Sequence, residues 1–120
     1  MNHEEDREQM ALMQWAGMAK GRMPDIEWLI HIPNGGKRSA REAGRLKVMG
    51  VKKGVSDLFL PVARGKWHGL WIEMKRLEGG RLSRYQKEWL QAMDRQGYKT
   101  KVCAGWEKAA EAITKYLMEE

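Results

Sequence analysis

Residues 54–75 read GVSDLFLPVARGKWHGLWIEMK. Two apolar runs flank a short turn-prone link at 63–66, the pattern of two strands, over 57–62 and 68–75, joined as a hairpin. Three charged groups interrupt these runs: Asp57, then Glu73 sixteen positions later, then Lys75. Burying one charge in an apolar sheet is costly, and burying three is a defect unless they share a task.

Alternate side chains of a strand point to the same face. Leu70, Ile72 and Met74 therefore share one face, and Trp71, Glu73 and Lys75 share the other. The hairpin brings Asp57 next to Glu73. Neighbouring carboxylates repel, so one takes up a proton unless a cation lies between them. Ligation by oxygen alone, completed by backbone carbonyls and water, suits Mg²⁺ or Mn²⁺. Lys75 would then orient water or stabilise charge growing on a phosphate. The bland alternative is a Glu73–Lys75 ion pair on a solvated strand, with Asp57 capping a turn.

Outward from the hairpin, a helix is expected over residues 4–20, stopped near Gly21 and Pro24. Glu5, Glu8, Leu12, Trp15 and Ala19 lie on one face of it, apolar below and acidic above, so either acid is a candidate to reach the metal site. IEWLIHIPN reads as a strand, GGKRS as a turn into a helix over 39–49, and EGGR as a turn into a third helix. That helix starts with Ser83 and Gln86 at capping-box spacing and buries Tyr85, Trp89 and Met93. YKTKVCAG is a fourth strand, and a last helix runs over 106–117. The order α-β-α-β-β-α-β-α describes one α/β domain over residues 1–120, a mixed sheet covered by helices.

The 120 residues are 42% apolar, enough for a core, and carry a net charge of +6, which favours a polyanionic partner. The single cysteine, Cys103, excludes an internal disulfide framework and a multi-cysteine zinc site. No apolar run is long enough to span a membrane, and the acidic N-terminus is unlike a signal peptide. A cytoplasmic setting is expected. Seven of the seventeen residues from Lys37 to Lys53 are basic: Lys37, Arg38, Arg41, Arg45, Lys47, Lys52 and Lys53. Lying just ahead of Asp57, they are expected to hold a phosphate backbone. GGKRS is not a phosphate loop, because His31 stands in place of the first glycine and Arg38 in place of the Ser/Thr.

EEDREQMALMQWA, HIPNGGKRS, AGRLKVMGVKKGVSDLFLPV, GLWIEMK, LSRYQKEWL and GYKTKVCAGWEKA together resemble the VRR-NUC (virus-type replication–repair nuclease) family, a branch of the PD-(D/E)XK nuclease superfamily. The pieces stand in the family's order over nearly the whole chain and are most similar to its stand-alone, phage-type members. The resemblance implies a restriction-endonuclease-like α/β core and metal-dependent cleavage of DNA by a homodimer that looks like a Holliday-junction resolvase. It further implies that Asp57, Glu73 and the backbone carbonyl of Met74 bind Mg²⁺ or Mn²⁺, that Lys75 is the active-site lysine, and that Gln86 is the family's glutamine. The family's N-terminal glutamate falls on Glu5, with Glu8 as the near alternative. Ser56 departs from the usual proline before the aspartate. A flap, repair or restriction-like nuclease, and a non-catalytic DNA-binding module, are the other readings.

Overall fold

The computed structural model describes residues 3–33 and 39–120. In chain order the elements are helix α1 (His3–Ala19), a 3-10 turn (Pro24–Trp28), β1 (Ile30–His31), α2 (Ala40–Val48), β2 (Leu58–Leu60), β3 (Leu70–Lys75), α3 (Arg84–Arg95), β4 (Lys99–Ala104) and α4 (Trp106–Glu119). The expected fold class holds: an α/β domain with a mixed four-stranded sheet flanked by helices. The strands lie in the order β1-β2-β3-β4. β1 and β2, and β2 and β3, pair antiparallel, whereas β4 runs parallel to β3. A parallel neighbour requires a crossover, and α3 supplies it.

One expected element is corrected. IEWLIHIPN is not a strand throughout. Pro24 opens a helical turn, a position where its missing N–H costs nothing. Ile26 and Leu29 are buried three apart while Trp28 is 55% exposed, a turn-like spacing. Only Ile30 and His31 remain in the sheet. Pro33 ends the described stretch, so the expectations for Asn34 and for Gly35, Gly36, Lys37 and Arg38 lie outside the described residues. A second correction concerns α3, where Tyr85 is 42% exposed and Leu90 takes the buried place beside half-buried Trp89 and Met93.

The two faces of β3 are covered differently. Leu70, Ile72 and Met74 are fully buried with Leu12 and Ala16 of α1 and Ala109, Ile113 and Tyr116 of α4. Burying each such side chain is worth about 1.5–3 kcal/mol, so this face is the main source of cohesion. The opposite face carries aromatics. Phe59 stacks on Trp71 with ring centroids 4.1 Å apart, and Trp89 of α3 meets Trp71 edge-on at 5.2 Å. Farther along that second face lie Glu73 and Lys75, beneath the first turn of α3. No helix among the described residues is long and apolar enough to cross a membrane.

Candidate active site

The hairpin register places the first two acids. Leu58 pairs with Ile72, so one step outward Asp57 stands opposite Glu73. The Asp57 carboxylate does not project freely. Its Oδ2 accepts the Met74 N–H at 2.7 Å, taking up a strand donor beside the residue that precedes β2. The backbone of Asp57 is held from the other side: its carbonyl accepts the Ile32 N–H at 2.7 Å and His31 Nδ1–H at 2.9 Å. Because the N–H and C=O of an extended residue point towards the same neighbouring strand, the Met74 carbonyl is directed to the Asp57 side of β3.

Glu73 is 1% exposed. Its Oε2 accepts a hydrogen bond from Gln86 Nε2 at 3.2 Å, and Lys75 Nζ stands 4.0 Å from the same oxygen. Its Oε1 is buried with no partner among the described residues. Burial is the chief cause that pushes the Glu73 carboxyl up to about 9; the adjoining Asp57 carboxylate adds to it, Lys75 opposes it, and Glu5 adds a further upward push. Without a cation, the carboxyl pair is therefore biased towards sharing a proton at neutral pH.

Gln86 ties the pieces together. Its Oε1 accepts from Ser83 N at 2.8 Å, while Ser83 Oγ accepts from Gln86 N at 3.1 Å, completing the capping box of α3. The same Oε1 accepts from Lys75 Nζ at 3.2 Å. One amide thus starts a helix and fixes the relative placement of a carboxylate and an ammonium. The capping spacing was legible in the sequence. The second set of contacts follows from α3 crossing over the end of β3.

The two N-terminal acids separate. Both are half-buried on the inward face of α1. Glu8 Oε1 accepts the Trp106 N–H at 2.8 Å and so caps α4, whose own N-cap, Gly105, has no side chain to do it. Glu5 lies where its charge is felt by Glu73. Among the described residues no three His, Cys, Asp or Glu side chains cluster closely enough to form a metal cage. The arrangement is a carboxylate pair and a neighbouring carbonyl, the kind of oxygen donor set by which Mg²⁺ or Mn²⁺ is held through one or two carboxylates. A buried carboxyl oxygen without a partner, beside a second carboxylate, fits such a cation better than it fits the empty sheet.

Of the basic residues, Arg41 and Arg45 lie on α2, a helix with no buried residue, and Lys52 and Lys53 are exposed on the loop leading to Asp57. Lys37 and Arg38 lie outside the described residues. The clamp of His31 and Ile32 on the Asp57 carbonyl was not legible in advance, since it depends on β1 pairing with the start of β2.

Comparison with known proteins agrees with this fold. The sequence profile of the VRR-NUC domain matches residues 4–107. A solved structure of a VRR_NUC domain protein is similar at 31% identity, with a TM-score of 0.83, over 98% of this chain and 90% of its own. No curated protein matches the chain significantly.

Proposed function

Because this chain belongs to the VRR-NUC family and has its nuclease-type fold, we propose that it is a Mg²⁺- or Mn²⁺-dependent DNA endonuclease, selective for DNA structure and similar in action to Holliday-junction resolvases. The observation that carries this reading is the meeting of Asp57, Glu73 and Lys75 under Gln86, held by hydrogen bonds of 2.7–3.2 Å. Asp57, Glu73 and the Met74 carbonyl would hold the cation, with Glu5 as the acid placed to assist and Glu8 more remote in role. When bound there, a divalent cation supplies neutralisation of the carboxylates and polarisation of the scissile phosphate.

The remaining work falls to the chain itself. Lys75 is 12% exposed in its side chain, and its ammonium is aimed by the Gln86 oxygen. From that position it donates to the attacking water or to a non-bridging phosphate oxygen, where negative charge grows. The water oxygen forms a new bond to phosphorus in line with the bond that breaks. The water's proton passes to solvent, and the departing sugar oxygen takes up a proton in turn. No covalent enzyme intermediate is required. Arg41, Arg45, Lys52 and Lys53 hold the backbone through phosphate contacts, which position DNA without reading its sequence.

A four-way junction presents two symmetry-related strands, so a two-fold homodimer in the cytoplasm is the assembly that fits. The test compares cleavage of a labelled four-way junction, a flap, a linear duplex and a single strand, in Mg²⁺, Mn²⁺ or EDTA. Paired symmetric nicks in the junction are expected, with Asp57→Ala and Lys75→Ala each losing at least about 10²-fold in rate. Preferred cutting of the flap would replace the resolvase reading by a repair one. Absence of cutting in either metal would overturn the enzyme reading.

A further inference from the structure

A cleft of about 610 Å³ opens between α2 and the first turn of α3, within the range that holds small ligands. Its lining combines apolar Leu46 and Val51, basic Lys47, Lys52 and Lys53, and the aromatic Tyr85. Nothing in the catalytic arrangement uses Tyr85. Its ring is 42% exposed, with Lys53 Nζ 5.5 Å from its centre and Arg84 Cζ at 4.9 Å. The three lysines have no carboxylate partner among the described residues.

This cleft is tied to the active site at two points. Tyr85 immediately precedes Gln86, the residue that holds Glu73 and Lys75. Gly54, three residues before Asp57, packs against the Tyr85 backbone so closely that a Cβ there would lie 2.3 Å from the Tyr85 carbonyl oxygen, and its φ is +88°. Only glycine permits both the conformation and the approach. The aromatic ring and the metal-binding carboxylate are therefore parts of one rigid corner.

An exposed aromatic among unpaired cations is the chemistry by which proteins hold single-stranded nucleic acid, the ring stacking a base and the cations taking its phosphates. A paired base keeps its faces inside the duplex and cannot use such a ring. We propose that the cleft receives an unpaired nucleotide of branched DNA, its base stacked on Tyr85 against Leu46 and Val51, with the flanking phosphates on Lys47, Lys52 and Lys53. Tyr85 is then the residue through which the enzyme selects DNA structure. The inference rests on the nuclease reading and concerns branched DNA that carries unpaired nucleotides, such as forks and flaps; a four-way junction, whose bases are paired, offers the ring one only where it opens at the crossover.

Binding in EDTA isolates this step from cleavage. The probes are a forked duplex carrying 2-aminopurine as its first unpaired nucleotide and the same strand fully paired. Wild type is expected to quench the fork's fluorescence on binding, Tyr85→Ala to weaken fork binding about tenfold while changing the paired duplex by less than about twofold, and Tyr85→Phe to behave as wild type. An equal loss on both probes, or quenching retained in Tyr85→Ala, would overturn the proposal while leaving the nuclease reading intact. Failure of wild type to bind either probe at low salt would overturn both. Tyr85 is exposed, so a thermal melt of each variant is expected to match wild type.

Discussion

Glu73 faces conflicting demands that a cation would resolve. In the folded, metal-free chain burial beside Asp57 raises its carboxyl to about 9, against an ordinary 4.5. Between those values the folded state binds more protons than the unfolded one, so stability is full below 4.5 and is lost as pH rises towards 9. From this group alone the loss by neutral pH is about 3 kcal/mol. The melting temperature in EDTA is therefore expected to fall between about pH 5 and pH 8, and Glu73→Gln is expected to flatten that fall. A wild-type profile no steeper than that of Glu73→Gln would contradict the burial argument. Added Mg²⁺ or Mn²⁺ should restore stability at the upper end, since a ligand that binds only the folded state stabilises it.

At the scale of elements, α1 and α4 are joined by one charged contact. Glu8 accepts from the first backbone N–H of α4, 98 positions away in the chain. Removing an N-cap acceptor costs about 1 kcal/mol, so Glu8→Ala is expected to lower the melting temperature, with or without metal. Glu5→Ala is expected to weaken cation binding more than Glu8→Ala does. Calorimetry and melts of the two variants separate these roles, and an equal effect on both readouts would show that the acids are not divided in this way. The sequence placed both acids on the inward face of α1, because helical spacing alone decides that. It left their roles open, because the partner of Glu8 is fixed by how two distant helices pack.

The same limit explains the other departures. The hairpin, the opposition of Asp57 and Glu73, and the Ser83–Gln86 box rest on local periodicities and were legible. The 3-10 turn at Pro24–Trp28 was hidden because IEWLI is as apolar as a strand, and a short apolar run does not distinguish the two by itself. Tyr85 was expected to be buried on the stripe through Trp89. Instead Gln86 and Leu90 turn inward, and the ring is released to the cleft beside Lys53.

Over the whole molecule, basic residues gather on α2 and on the loop that follows it. The chain measures 44 × 30 × 25 Å, and α2 carries Arg41 and Arg45 on a helix that buries nothing. Such a helix gains little from packing and is free to serve a polyanion. Arg41→Glu with Arg45→Glu is expected to weaken DNA binding without changing the melt, and to make the salt dependence shallower by roughly one unit of slope per lost phosphate contact. An unchanged slope in a salt titration would place the DNA elsewhere on the surface.

The most direct test is a calorimetric titration of Mn²⁺ into the DNA-free protein near pH 7, repeated in two buffers of different ionisation enthalpy. The carboxyl pair is biased towards sharing a proton before the cation arrives, so binding is expected at a site that releases close to one proton per ion, and Asp57→Ala is expected to abolish it. Binding that survives Asp57→Ala, or that releases no proton, would contradict the assignment of Asp57 and Glu73 as the cation's ligands.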